Sequence, residues 1–274
     1  MEPDESAPLS PAAREHNRRM WDQRARNQQR FTRPASDDDV ANPLTKVDVA
    51  WFGELRGKRL LCLAAGGGRQ SVLYAAAGAI VTVVDVSGEQ LAIDRQVARE
   101  RGLDITAVEA SMDDLSAFAP GCFDAVMQPV STCYLPDIHA VYREVARVMA
   151  PGGIYVSQHK QPTSLQASVE PSPLGYTIAE PYYRSGPLPN VKGSLHREDG
   201  TLEFLHRWED LIGGLCRAGF VIEDLSEPMH SKPDAPAGTF AHRSRFIAPY
   251  VRIKARRVGD AAIKATARVW VPGS

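Results

Sequence analysis

Short apolar runs alternate with longer amphipathic segments through the middle of this chain. The runs show little polar alternation, which is typical of strands buried on both faces of a sheet, and the segments between them repeat apolar residues at helical spacing. The pattern predicts strands at residues 59–63, 80–85, 104–109, 122–127, 154–159, 220–225 and 244–256, and helices at residues 70–77, 88–101, 137–149 and 205–218. Strands in alternation with helices indicate an α/β fold with a doubly wound, mostly parallel sheet.

Two stretches fall outside this alternation. Residues 14–33 are basic and helix-permissive, and they belong to an N-terminal arm that we place at residues 1–45. Residues 160–204 carry many prolines and are too long for an ordinary connection, so we interpret them as an insertion after the fifth strand. The main domain is therefore predicted at residues 46–257, and a tail at residues 258–274.

Composition and charge exclude several classes of partner. The formal net charge is -1, which creates no global field for nucleic acid or for a membrane surface. No apolar run approaches the ~20 residues that span a bilayer, and the polar N-terminus lacks the apolar core of a signal peptide. The four cysteines are widely spaced and suggest neither a zinc site nor a disulfide framework. We expect a cytoplasmic protein without a metal.

The first predicted strand stops at three glycines, Gly66, Gly67 and Gly68, and the second ends at Asp85. Glycine lets the backbone approach a ligand closely. An acid at the end of the second strand accepts hydrogen bonds from ribose hydroxyls. These features predict a cofactor that contains a nucleoside. The degraded G-x-G-x-x-G motif that ends at Ser71 leaves a nicotinamide dinucleotide open as one candidate.

A second candidate uses more of the chain. The order of elements resembles the class I S-adenosylmethionine-dependent methyltransferases, in particular the small-molecule enzymes of the methyltransferase-11 type. The resemblance rests on the glycine turn, Asp85-Val86-Ser87, the strand at 123–126, the helix at 142–150 that ends at Pro151-Gly152-Gly153, and Ala218-Gly219-Phe220. It implies a Rossmann-like sheet of seven strands that ends in an antiparallel hairpin, with S-adenosylmethionine as the cofactor.

The resemblance also implies roles for individual residues. The residues that hold the cofactor would be Ala64, Ala65, Gly66, Gly67 and Gly68 at the methionine part, Asp85 at the ribose, Val86, Ser111 and Met112 at the adenine, and Gln128, Pro129 and Val130 near the sulfonium. Three positions depart from the family pattern. Cys62 stands where an acid is common in the first strand, Ala64 replaces the first turn glycine, and Ser111 replaces the adenine-side acid.

Methyl transfer needs alignment and exclusion of water, and a base only where the acceptor must lose a proton. His159, at the end of the fifth strand, is the first candidate base, and His206 is the second. Tyr134 follows the fourth strand and is a candidate for the acceptor pocket. Family members often cover the site with the N-terminal region, so we expect a lid that packs Trp21 and Phe31 over the cofactor.

The expected activity is methyl transfer to a small-molecule acceptor at O, N or S, without nucleic acid or a membrane as partner. Aromatic and cationic residues in the insertion would suit an aromatic or carboxylate-bearing acceptor. An insertion can also pair subunits, which leaves a homodimer open. Two alternatives remain at this point: a nicotinamide-dependent oxidoreductase and a non-catalytic protein that binds S-adenosylmethionine.

Overall fold

The computed structural model describes residues 9–194 and 196–259, and it contains one sheet of seven strands. The strands are β1 (Arg59–Leu63), β2 (Ile80–Asp85), β3 (Ile105–Glu109), β4 (Phe123–Gln128), β5 (Met149–Lys160), β6 (Phe220–Ser226) and β7 (Tyr250–Arg257). Their order is β3-β2-β1-β4-β5-β7-β6. The first five are parallel, whereas β7 runs antiparallel to both β5 and β6. The predicted doubly wound sheet with a closing hairpin is confirmed.

Helices cover both faces of this sheet. They are α1 (Leu9–Arg26), α2 (Asp37–Ala41), α3 (Val49–Phe52), α4 (Gln70–Ala76), α5 (Gly88–Arg101), α6 (Ile138–Val148), α7 (Pro162–Gln166), α8 (Gly214–Arg217) and α9 (Phe240–Arg243). On one face, Val141 and Val145 of α6 belong to the larger apolar core. On the other face, Cys62 of β1 lies in a second core beside Val81 and Val83 of β2. Cys62 therefore serves as a small apolar side chain in the interior.

Three predicted boundaries are wrong. The strand predicted at 244–256 begins only at Tyr250, because residues 240–243 form α9 and Pro249 cannot donate to a ladder. The helix predicted at 205–218 is shorter: a π-helical turn at Glu209–Gly213 runs into α8. Strand β5 begins earlier than predicted, since Met149 pairs with Phe123 before a register shift around the glycines.

The N-terminal arm contains α1, α2 and a short 3₁₀ turn at Pro43–Thr45, and α1 begins before the basic segment that predicted it. The described residues of 160–204 contain the end of β5, α7 and two isolated β-bridges, and are otherwise turns and irregular backbone. Residues 1–8 and 260–274, and hence most of the predicted tail, lie outside the described residues. Within residues 9–194 and 196–259, every helix is too short or too polar to cross a membrane.

Candidate functional site

A cavity of about 400 Å³ lies at the edge of the sheet where β1, β2, β4 and β5 end and β7 begins. Ligands bind at this edge in doubly wound sheets. We call the part lined by Ala64, Asp85, Val86 and Gln90 the β2 end, and the part lined by Glu198, His230, Phe240 and Tyr250 the β7 end. The other lining residues are Arg14, Asn17, Trp21, Arg30, Phe31, Arg33, Ala65, Gly66, Arg69, Gln70, Ser111, Met112, Pro129, Val130, Ser131, Tyr134, Leu135 and Gln158.

The strand order separates the two ends of the cavity. Strands β1, β4 and β5 lie between β2 and β7. At about 4.8 Å per strand, Asp85 and Tyr250 are on the order of 19 Å apart along the sheet edge. The cavity is therefore long enough for two ligands side by side.

Asp85 forms the acidic wall of the β2 end. One carboxylate oxygen accepts from the backbone N–H of Gly66 at 2.9 Å, and the other accepts from that of Ser87 at 2.9 Å. Burial raises the pKa of this carboxyl, and the N–H groups of Ser87 and Gly66 oppose the rise. Each oxygen keeps a second lone pair, so the carboxylate can accept hydrogen bonds from a diol as well.

Backbone angles and contacts within the protein explain why glycines occupy this turn. Gly67 and Gly68 adopt φ values of 105° and 71°, which side chains rarely tolerate. Ala64 also has a positive φ of 49°, so alanine adopts a backbone conformation that glycine would adopt more easily. A Cβ at Gly66 would lie 2.7 Å from the Cβ of Gln90, which explains why glycine is required there.

The carboxylate of Asp94 holds this turn from behind. It is fully buried on α5 and accepts from the N–H groups of Gly67 at 2.8 Å and Gly68 at 3.0 Å, and also from the Ser71 hydroxyl. Burial raises its pKa to about 6. The sequence carries no signal of this role for Asp94, because a single acid in an amphipathic helix usually faces solvent.

One polar atom at the β2 end points to a ligand. The side-chain oxygen of Gln90 is buried and has no hydrogen-bond partner among the described residues, although Gln90 lines the cavity. A buried acceptor without a partner is costly, and an amino or hydroxyl group of a ligand would satisfy it. Together with Asp85 and the apolar Val86 and Met112, it gives the β2 end both hydrogen-bond acceptors and apolar surface.

Most residues predicted to hold the cofactor do line the cavity. They are Ala64, Ala65, Gly66, Asp85, Val86, Ser111, Met112, Pro129 and Val130. The structure does not bring the other three to the cavity wall. Gly67 and Gly68 turn behind it towards Asp94, and the buried Gln128 bonds to Ser131 and Tyr155.

The two candidate bases lie outside this cavity. His159 is 1% exposed, and its ring nitrogens contact the hydroxyls of Thr132 and Ser157, each at 2.8 Å. Burial lowers its pKa to about 3. His206 bonds through Nε2 to the carbonyl of Thr132 and lines a separate cavity beside His139, and burial lowers its pKa as well. This geometry does not favour either histidine as the base.

Tyr134 does line the cavity, and it is part of a buried polar network. Its hydroxyl donates to Glu198 at 2.7 Å, and the Lys160 ammonium donates to Glu198 at 2.6 Å and also to Glu203. Arg197 pairs with the second oxygen of Glu203. Burial alone would raise the pKa of Glu198, but the charge of Lys160 lowers it to about 2. Glu198 is therefore an anion at neutral pH.

Several residues of the arm line the cavity. Trp21 of α1 packs edge-on against Tyr134, with ring centroids 5.5 Å apart. Phe31 lines the cavity while 53% of it stays exposed, and its backbone has a positive φ of 70°. Both aromatic residues expected in a lid thus lie on the cavity wall.

The β7 end comes from segments without a periodic pattern. Glu198 lies in the insertion, and His230 and Phe240 lie in the connection between β6 and β7. Such residues carry no local signal of function, because only the folded chain brings them together. Among the described residues of the insertion, only Glu198 lines this cavity, so the tyrosines of the insertion did not indicate the site.

Known proteins resemble this chain in sequence and in fold. A family described as "Methyltransferase domain" matches residues 61–157. "Uncharacterized methyltransferase YbaJ" of Bacillus subtilis is 34% identical over 77% of this chain and 89% of its own length. "Ubiquinone biosynthesis O-methyltransferase" of Xanthomonas euvesicatoria is 31% identical over 68% of this chain and 72% of its own.

A solved S-adenosylmethionine-dependent methyltransferase from Mesorhizobium loti shares the fold. Its TM-score is 0.59 at 23% identity, and the match covers 80% of this chain and 98% of that one. The family resolves the choice of nucleoside in favour of S-adenosylmethionine over a nicotinamide dinucleotide. The chain therefore belongs to the S-adenosylmethionine-dependent methyltransferases and is an enzyme of that family.

Proposed function

We propose that this enzyme methylates a small molecule that binds at the β7 end of the cavity while S-adenosylmethionine occupies the β2 end. The observation that carries the proposal is the continuity of the cavity, because Asp85, Phe240 and Tyr250 all line the same space. A concave site of this kind suits a cofactor and a small acceptor.

At the β2 end, Asp85 would hold the ribose hydroxyls, and the Gln90 oxygen would accept from an amino or hydroxyl group. Val86 and Met112 would flank the adenine. Bound S-adenosylmethionine supplies a methyl group that its sulfonium already activates. The chain's task is to align the acceptor and to exclude water, which is where the arm, with Trp21 and Phe31, contributes as a lid.

At the β7 end, Glu198 is the carboxylate that can accept a hydrogen bond from an acceptor hydroxyl and so orient it. Asp85 is the other carboxylate among the described cavity-lining residues, and it lies at the far end. The Glu198 carboxylate favours a hydroxyl acceptor, because it can accept a hydrogen bond from the hydroxyl, whereas a thiolate has no proton to donate. The relative named as an O-methyltransferase supports the choice of oxygen. We propose that methylation occurs at oxygen.

Replacement of Asp85 tests the cofactor half of this proposal. Asp85→Asn keeps the shape of the side chain but turns an N–H₂ group towards a backbone donor. We expect binding of S-adenosylhomocysteine to weaken by about tenfold or more, as for loss of a hydrogen bond to a charged group. Isothermal titration of the full chain, with NADH as a second ligand, measures this.

The matched control is Asp104→Asn, an exposed acid before β3 and away from the cavity. Its affinity should equal that of the unaltered protein, and circular dichroism should show both variants folded. Equal affinity in Asp85→Asn and Asp104→Asn would contradict the role of Asp85. Binding of NADH alone would overturn the cofactor assignment.

A further inference from the structure

We propose that the acceptor is a planar aromatic carboxylate that carries its reacting hydroxyl on the opposite edge of the ring. This inference rests on the proposed function, because it names the acceptor of the same cavity. It follows from three features of the β7 end: its rings, its unpartnered polar groups and the position of Glu198.

Aromatic rings form a cluster at the β7 end, and three of them, His230, Phe240 and Tyr250, line the cavity. The ring of His230 lies edge-on to Phe240, with centroids 5.5 Å apart, and edge-on to Tyr250 at 5.4 Å. Phe240 and Tyr250 are tilted at 6.2 Å. His196 stacks on Phe240 at 5.1 Å and 23°, and burial lowers its pKa to about 4, which keeps it neutral at pH 7. Rings in this arrangement favour the edges and faces of another flat ring.

Two polar groups at this end, a ring nitrogen of His230 and the guanidinium of Arg30, could each pair with a ligand. The Nε2 atom of His230 is buried without a hydrogen-bond partner among the described residues. Arg30 lines the cavity, and within the described chain its guanidinium contacts no carboxylate and stacks on Phe31 at 4.7 Å. Burial raises the pKa of Tyr250, and the positive charges of Lys160 and Arg30 oppose the rise, so Arg30 acts at this same end. A ligand carboxylate would satisfy both Arg30 and His230.

The reacting hydroxyl belongs on the other side of the ring. Tyr134 lies in the segment after β4, which is midway between β2 and β7 in the strand order, and its hydroxyl donates to Glu198 at 2.7 Å. The cofactor at the β2 end would present its methyl group from that side. In the transfer, the acceptor oxygen bonds to the methyl carbon as the carbon–sulfur bond breaks. The electron pair of that bond stays on sulfur, and the hydroxyl proton is released to water, because Glu198, whose pKa Lys160 lowers to about 2, orients the hydroxyl without keeping its proton. No further reactant is needed.

Probes that differ by one feature test this acceptor. The protein is saturated with S-adenosylhomocysteine and titrated with 4-hydroxybenzoate, its neutral methyl ester, and 4-hydroxycyclohexanecarboxylate. We expect the aromatic acid to bind at least tenfold more tightly than the ester, which lacks the charge. It should also bind at least tenfold more tightly than the cyclohexane acid, which lacks the flat ring. With S-adenosylmethionine, 4-hydroxybenzoate should yield the 4-methoxy product.

Variants separate charge from ring recognition. Arg30→Gln should remove the preference for acid over ester, and Phe240→Leu should remove the preference for the flat ring. Arg19→Gln, an exposed arginine on α1, and Phe246→Leu, an exposed ring outside the cavity, are the matched controls and should leave both preferences intact.

The outcomes distinguish the two proposals. Failure of S-adenosylhomocysteine to bind would count against the proposed function itself. Normal binding of S-adenosylhomocysteine, together with equal or absent binding of the three probes, overturns the acceptor class alone. Equal probe preferences in Arg30→Gln and Arg19→Gln would overturn the assignment of the carboxylate to Arg30.

Discussion

Asp94 is a residue whose ionisation should control the glycine turn. As a carboxylate it accepts from Gly67, Gly68 and Ser71 together. A protonated carboxyl holds the turn more weakly: it can donate its proton to the Ser71 hydroxyl, but the negative charge that strengthens the bonds from Gly67 and Gly68 is lost. Because burial raises the pKa of Asp94 to about 6, the change falls within an accessible range of pH. The turn should loosen as the pH falls below that value.

The prediction is that the affinity for S-adenosylhomocysteine falls several-fold between pH 7.5 and pH 5, and that Asp94→Asn binds more weakly with a flatter profile. Titration calorimetry at a series of pH values measures this. The stability contribution of Asp94 has the opposite sign. The raised pKa means that its share of the folding free energy is present below about pH 4 and lost as the pH rises through about 6.

The two pH trends distinguish a local loosening of the glycine turn from acid unfolding. Loosening lowers the affinity for S-adenosylhomocysteine while the contribution of Asp94 to stability rises, whereas acid unfolding would lower both affinity and stability. The control is Asp104→Asn, which should keep the pH profile of the unaltered protein. An identical pH profile in Asp94→Asn would show that another group, such as the buried Asp85, is responsible.

At the scale of elements, α9 depends on one arginine. A helix of four residues has no stability of its own. Arg243 is 1% exposed and donates to the carbonyls of Ser164, Ala167 and Ser168 and to the Ser164 hydroxyl, at 2.7–3.0 Å. It thereby ties the connection between β6 and β7 to α7, and it fixes Phe240 at the cavity wall.

Arg243→Met should lower the free energy of unfolding by about 2–4 kcal/mol, because it strands several carbonyls that Arg243 now satisfies. Urea unfolding of the full chain measures this value. Arg245→Met, two residues away and exposed, should change it little. Since the β2 end does not contact Arg243, affinity for S-adenosylhomocysteine should survive in the folded variant; its loss would mean that α9 supports the whole cavity.

The sequence predicts the elements that carry their own apolar pattern, but not those that depend on tertiary contacts. Strands such as β1 and β2 carry their own apolar pattern, and Asp85 follows from its place after β2, so fold and β2 end were predictable. Helix α9 has no such pattern, and the hydrogen bonds of Arg243 to residues 164–168 stabilise it. Glu198 and Phe240 meet only because the chain folds. His159 ends a strand at the right edge, yet its side chain points into the core, and strand position alone does not determine that direction.

At the scale of the whole molecule, α1 joins the two ends of the cavity. Towards the β2 end, Asp22 accepts from the Ser87 hydroxyl at 2.6 Å. Towards the β7 end, the Asn17 amide donates to the carbonyls of Tyr134 and Leu202 at 2.9 Å and accepts from the N–H of Leu202 at 2.8 Å. One helix therefore contacts the cofactor turn, the segment after β4 and the insertion.

Deletion of residues 1–33 removes the part of the arm that lines the cavity. It keeps Ala35, whose N–H donates to the carbonyl of Gly68. We expect the dissociation rate of S-adenosylhomocysteine to rise about tenfold or more, because the lid that retains it is gone, while the sheet still folds. Stopped-flow fluorescence and circular dichroism measure the two quantities. Asn17→Ala should show a smaller effect in the full chain, and Arg19→Gln on the same helix none. A folded, truncated protein that releases the ligand at the original rate would show that α1 is not a lid.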